Sequence, residues 1–143
     1  MHISYEKHHR HSYYLIKNGD LRGFDPQETE VIALVTRYHR RATPKKGHPG
    51  YGELPHGLRQ AVKVLAACLR LAEGLDRSHA QALDSLRLVN RGEDYLLQLR
   101  TAGDAELELW AAGRHVEPFE EMLKHPVRFE VAALPSKRKA KQA

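Results

Sequence analysis

The chain has 143 residues, enough for one domain with a small appendage and for a proper core. With 41% hydrophobic and 29% charged residues it has a soluble, globular composition, and no apolar run approaches the ~18 residues needed to span a bilayer. Its net charge of +5 is uneven: 13 Lys/Arg face 8 Asp/Glu over residues 1–83, 6 face 10 over 84–134, and four basic residues close the chain, which points to a local anionic partner and away from general nucleic-acid binding.

Met1-His2-Ile3-Ser4 leads straight into charge without a signal-peptide pattern, and the single cysteine leaves no disulfide framework, so a cytoplasmic address is expected. The run His8-His9-Arg10-His11-Ser12-Tyr13-Tyr14-Leu15-Ile16 then crowds imidazoles at the start of a helix. Helical spacing places His8, Ser12 and Leu15 on one face, with His11 also above Leu15, so a polar cluster is expected to enter the core on an apolar stripe. Such a cluster suits a metal or phosphate site; solvated histidines at a helix N-terminus are the plainer alternative.

Asn18-Gly19-Asp20 and Arg22-Gly23 mark a loop. Asp25-Pro26-Gln27-Glu28 reads as a helix start, with an N-cap Asp, Pro at the first helical position and Glu closing a capping box. That helix is expected to reach about Arg40 and to turn Ile32, Val35 and His39 inward, with Val31 and Tyr38 flanking. Arg37, Arg40 and Arg41 surround His39. Thr43 to Pro55 has three prolines, three glycines and no apolar period, so it is a loop, and it carries Lys45, Lys46 and His48.

A third helix is expected from about Leu58 to Leu75. Val64-Leu65-Ala66-Ala67-Cys68-Leu69 is apolar nearly all round, the mark of a central helix. Cys68 reads as a buried small hydrophobe, and as a single cysteine it allows no disulfide framework. Glu73 continues the Leu65–Leu69 face and Asp76 lies one turn further on. Gly74 costs about 1 kcal/mol relative to Ala in a helix interior, so it either permits close packing or begins the helix end.

The pattern then changes. Leu86-Arg87-Leu88-Val89 and Tyr95-Leu96-Leu97-Gln98-Leu99 flank Asn90 to Asp94 and predict a β-hairpin. Asp104 as an N-cap precedes a helix through Glu106–Ala112, a second helix spans about Val116 to Lys124, and Val127 to Val131 alternates as a strand. Trp110, Phe119 and Phe129 are expected to fill a small second core. The predicted fold is α+β: a mostly helical part over about 1–83, a small ββααβ part over 84–134 packed on it, and a disordered basic tail over 135–143.

Four ordered blocks carry a resemblance: the run from His8 to Ile16, Arg37-Tyr38-His39-Arg40, the run from Leu69 to His79, and Leu107-Glu108-Leu109-Trp110-Ala111. Together they resemble the C-terminal region of the exopolyphosphatase / guanosine pentaphosphate phosphohydrolase family over most of the chain, up to about residue 132. That region is similar to the HD superfamily of metal-dependent phosphohydrolases, so the resemblance implies an HD-like helical part. It implies degenerate metal-ligand positions at His8, spaced to Ser12 as in that superfamily, at His39, and at Glu73 where an Asp is usual, with Asp76 nearby. Mg or Mn is the divalent ion implied. The chain contains no His-Asp pair, and the doublet should precede His2 by a few residues, so a C-terminal piece or truncated frame without the actin-like phosphatase domains is expected.

The resemblance therefore implies a non-catalytic domain that binds polyphosphate or guanosine polyphosphate and dimerises or packs on N-terminal phosphatase domains. The phosphate-binding candidates are Arg37, Arg40, Arg41, Lys45, Lys46 and His48, because guanidinium forks and ammonium charges contact phosphate oxygens without sequence specificity. The alternative is an HD-type phosphohydrolase acting on nucleotides or polyphosphate through a metal on His8, His39, Glu73 and Asp76. Neither reading includes a membrane, and nucleic acid is not the expected partner.

Overall fold

A computed structural model describes residues 8–40 and 42–133, with side chains for 10–40 and 42–132. Three helices come first: α1 (His8–Asn18), α2 (Pro26–Tyr38) and α3 (His56–Leu75). Strands β1 (Leu83–Asn90) and β2 (Tyr95–Thr101), helices α4 (Glu106–Gly113) and α5 (Glu117–Leu123) and strand β3 (Val127–Ala133) follow, giving the expected α+β class with the ββααβ order. The chain divides within α3 into two compact units, the first ending at Leu71 and the second beginning at Ala72. The basic tail 135–143 lies outside the described residues.

In the first unit α2 starts where its capping box says it should. The Asp25 carboxylate accepts from the backbone N–H groups of Gln27 (2.7 Å) and Glu28 (2.8 Å), and the Glu28 carboxylate accepts from Asp25 N–H at 2.9 Å. Both ends of the box satisfy donors that the first helical turn leaves open, and Pro26 fits the first turn because it has no N–H to lose. Val31, Leu34 and Tyr38 point into a core with Tyr51, Leu54, Val62 and Ala66. The inward face is thus Val31–Leu34–Tyr38, one residue back from the expected Ile32–Val35–His39. That is a rotation of about 100° for a 3.6-residue turn. The helix also stops at Tyr38, so His39 is its C-cap and not a member of the stripe.

The first helix differs likewise. Leu15 is 68% exposed, and Tyr13 is the residue that packs against the core cluster. A tyrosine wins over leucine here because its ring adds apolar area while its hydroxyl finds a partner on α2. On α3, Val62, Ala66, Ala67, Leu71 and Leu75 are buried while Val64, Leu65 and Leu69 are exposed, so this helix has one open apolar face although its sequence is apolar nearly all round. Cys68 is half-buried and burial pushes its thiol pKa up, in keeping with an inert packing residue.

In the second unit β2 is the central strand of a three-stranded sheet ordered β1-β2-β3. Its buried residues, Leu97, Leu99 and Thr101, recur with the period of two that sets one face of a strand. Antiparallel pairing places Leu86 opposite Leu99 and Leu88 opposite Leu97, and parallel pairing places Phe129 beside Leu97 and Val131 beside Leu99. A parallel neighbour needs a crossover, which α4 and α5 supply. The hairpin turn is held by Asn90 Oδ1 accepting from Gly92 N–H at 2.8 Å, with Gly92 at φ 93°, where glycine pays no Cβ cost. Asp94 accepts from Arg91 (2.6 Å) and from Arg128 of β3 (2.8 Å), tying that turn to the far strand.

Gly74 resolves to a close-packing role: a Cβ there would stand 2.9 Å from Ala112 Cα and 2.9 Å from Ala112 N. Phe119 is buried as expected, but Trp110 is 59% exposed, under the Arg114 guanidinium at 5.0 Å from its ring centre. The inward face of α4 is Glu108, Ala111 and Ala112. Glu108 wins that position because its carboxylate accepts from the Ser78 N–H at 3.0 Å, which offsets the cost of burying a charge. Hydrogen bonding from Ser78 holds the Glu108 carboxyl below the usual carboxylate range, against the opposing effect of burial. Ala105, not Asp104, stands at the N-cap; Asp104 instead accepts from Glu106 N–H at 2.9 Å.

Candidate functional site

The basic candidates of the first unit sit on two consecutive pieces of chain, the end of α2 and the loop that leads to α3. Lys45 and Lys46 are exposed on that loop. Despite its prolines and glycines the loop is pinned at several points. His48 N–H donates to the Lys45 carbonyl at 2.8 Å, Gly52 N–H to the His48 carbonyl at 3.1 Å, and Tyr51 and Leu54 are buried in the core. Arg59 of α3 donates to the Leu54 carbonyl at 2.7 Å. Gly50, at φ 81°, lies against the Glu30 carboxylate, and a Cβ there would come within 3.1 Å of the Tyr13 hydroxyl, so only glycine suits the position.

Tyr38 joins the two pieces. Its hydroxyl is 2.7 Å from His48 Nδ1, and the rings stack at 5.6 Å with a 12° interplanar angle. Tyr51 meets the Tyr38 ring edge-on at 6.1 Å. The loop that presents Lys45 and Lys46 is therefore bonded to the last residue of the helix that presents Arg37. Burial pushes the Tyr38 phenol pKa up, with the neighbouring Arg37 charge opposing. Arg37 itself lies 5.7 Å above the Tyr13 ring and 5.6 Å from the Tyr38 ring, a cation–π seat that fixes its planar group while leaving it half-buried. Arg40 is half-buried, and Arg41 lies outside the described residues.

Behind this end of α2 a second polar group ties α1 to α2. Glu30 is largely buried and accepts from the Tyr13 hydroxyl at 2.7 Å and from the Lys17 ammonium. The Tyr13 phenol pKa is pushed up to about 12, first by burial and then by the hydrogen bond and negative charge of Glu30. Arg70 of α3 spends its guanidinium on three backbone carbonyls past the C-terminus of α2: Tyr38 (2.7 Å), His39 (3.0 Å) and Ala42 (3.1 Å). Glu30 and Arg70 were not anticipated as contributors to this region. The signal existed for Arg70, a charged side chain inside the apolar stretch Leu69-Arg70-Leu71, whereas Glu30 follows the polar run Gln27-Glu28-Thr29 and carries no such mark.

The residues expected to mark an inherited metal site are placed as follows. His8 heads α1, and its side chain is outside those described. His39 caps α2, with Nδ1–H donating to the Thr36 carbonyl at 2.5 Å. Glu73 is half-buried on α3, and Asp76 follows it on the surface, 3.4 Å from His79 Nδ1. His39 belongs to the first unit and Glu73 and Asp76 to the second. Among the described residues no group of three or more His, Cys, Asp or Glu side chains could hold a metal ion. Among the described residues no helix is long and apolar enough to cross a membrane.

Comparison with known proteins adds a family and a relative. Residues 1–112 match the family model described as Ppx/GppA phosphatase, domain III. The match ends short of the residue 132 expected from the resemblance and leaves β3 outside it. A stretch of 38 residues is 42% identical to a guanosine-5'-triphosphate,3'-diphosphate pyrophosphatase of Pseudoalteromonas translucida, covering 27% of this chain and only 8% of that protein.

Proposed function

Since the chain belongs to the Ppx/GppA phosphatase family, matching its domain III over residues 1–112, we propose that it is a polyanion-holding domain that engages polyphosphate or guanosine polyphosphate and leaves cleavage to phosphatase domains elsewhere. The observation that carries this reading is the pinned basic loop. Lys45 and Lys46 are exposed on a segment bonded through His48 to Tyr38, so two ammonium charges are offered beside the Arg37 guanidinium from a backbone ordered before any ligand arrives, with Arg40 next along the chain. A preordered loop backbone loses little conformational entropy on binding, which favours contacts with a repeating phosphate chain. Arg41 completes the set in sequence, and His48 pins the loop that presents the two lysines.

Open apolar residues support a second role, packing against another protein surface. Val64, Leu65 and Leu69 line one exposed side of α3, which fits either a homodimer or a phosphatase domain as the neighbour. Light scattering at high concentration tests the dimer, and a strict monomer counts against it. The binding role is tested by equilibrium binding of the full chain to long-chain inorganic polyphosphate and to guanosine pentaphosphate at low salt, beside a Lys45→Ala/Lys46→Ala variant. The variant should bind at least about tenfold more weakly, since each lost charge-assisted phosphate contact is worth about 1 kcal/mol or more. Equal binding by variant and parent refutes the loop as the contact surface.

A further inference from the structure

Arg70 stands in an apolar stretch of α3, yet its guanidinium faces backbone and not an acid. It donates through Nη2 to the Tyr38 carbonyl at 2.7 Å and to the Ala42 carbonyl at 3.1 Å, and through Nε to the His39 carbonyl at 3.0 Å. The last carbonyls of an α-helix have no partner within the helix and carry its partial negative charge, so a cation there caps α2 and complements its dipole. The third bond reaches beyond the helix. The three acceptors bracket Arg40 and Arg41 in the sequence, and Tyr38 is also the residue that holds His48 of the basic loop. One planar fork thus ties the end of α2 to Ala42 at the entrance of the basic loop.

We propose that Arg70 is a positioning residue for the polyanion site: by clamping the carbonyls of Tyr38, His39 and Ala42 it fixes where the chain leaves α2, and so the direction in which the loop that follows presents the Lys45 and Lys46 ammonium groups to phosphate. The inference rests on the polyanion-binding reading above and adds to it a residue that does not touch the ligand. Lysine cannot replace arginine in this role. An ammonium is a point charge on a flexible stem, whereas the guanidinium offers donors in a rigid plane that reaches three carbonyls at once. Arg70 is half-buried, and burial lowers its pKa from the ordinary arginine value, as expected of a cation sited for geometry and not for solvent contact.

The test compares Arg70→Lys, Arg70→Met and the parent chain by equilibrium binding to long-chain inorganic polyphosphate over a salt series, well below each protein's unfolding midpoint. Positioning predicts that both variants lose affinity about tenfold and that the slope of log K against log salt becomes shallower by about one for each ammonium that falls out of register. If Arg70→Lys binds like the parent while Arg70→Met does not, its charge alone acts and the positioning role is overturned. If both variants bind with the parent's affinity and slope but unfold more easily, Arg70 is only a structural cap and the inference is again overturned. A parent chain that fails to bind polyphosphate overturns the polyanion reading itself, and with it any role for Arg70 in serving that site. That outcome is distinct from a binding parent whose variants are unchanged.

Discussion

Replacing Lys17 by methionine tests the polar tie between α1 and α2. In the parent chain the Lys17 ammonium and the Tyr13 hydroxyl both donate to Glu30, whose side chain is 12% exposed while that of Lys17 is 36% exposed. The pair lies between two limits. Exposed ion pairs contribute about 0–1 kcal/mol, whereas removing one member of a buried pair costs about 3–5 kcal/mol because the other charge is left desolvated. With one partner buried and the other a third exposed, Lys17→Met should cost about 1–2 kcal/mol. Glu30→Gln should cost a similar amount, since it keeps an acceptor for Tyr13 but loses the charge. The decisive quantity is the double variant. Once Glu30 is neutral the missing ammonium matters little, so Lys17→Met/Glu30→Gln should be more stable than the sum of the single effects by about 1 kcal/mol. Urea unfolding followed by far-ultraviolet circular dichroism reads all four proteins. A coupling below about 0.3 kcal/mol would show that solvent screens the pair and refute the tie as a stabilising element.

Two further outcomes follow from the second unit. Gly74→Ala should lower stability by about 1–2 kcal/mol even though alanine is the better helix former by about 1 kcal/mol, because the new Cβ meets the backbone of Ala112 at 2.9 Å; a rise in the thermal midpoint would contradict that close approach. Glu108 has its pKa lowered in the folded state, chiefly by hydrogen bonding from Ser78, so its stabilising effect is present above the ordinary carboxylate pKa and is lost as pH falls through the depressed folded value. Glu108→Gln should therefore be less stable than the parent at neutral pH and show a weaker loss of stability on acidification below about pH 4.5. Parallel acid-unfolding curves for the two proteins would count against it.

How much of this was legible in the sequence depended on how local the governing interaction is. The start of α2 is set within four residues, and Asp25, Pro26 and Glu28 declare it. The hairpin around Asn90–Asp94 is equally local, and both were read correctly. Facing is decided at longer range. Tyr13, not Leu15, turns inward because Glu30, 17 residues away, accepts its hydroxyl. Glu108, not Trp110, turns inward on α4 because Ser78, 30 residues away, supplies an N–H. Periodicity treats buried acids as surface residues, so it rotated α2 by one position and placed Trp110 in a core it does not enter. In the basic region, the Lys45-Lys46 loop was visible as composition. Its rigidity was not, because the bonds from Tyr38 and Arg59 that pin it come from the flanking helices and leave no mark in the composition of the loop.

The central claim is that this domain holds a phosphate chain through preordered cations, and the salt dependence of its binding to long-chain inorganic polyphosphate tests that claim most directly. Four described candidates, Arg37, Arg40, Lys45 and Lys46, predict a slope of log K against log salt of about −3 if each meets a phosphate, using the coefficient of about 0.7 per contact for a single-stranded polyanion. A steep negative slope that flattens when Lys45 and Lys46 are removed fits the account. No retention at low salt, or binding indifferent to salt, contradicts it.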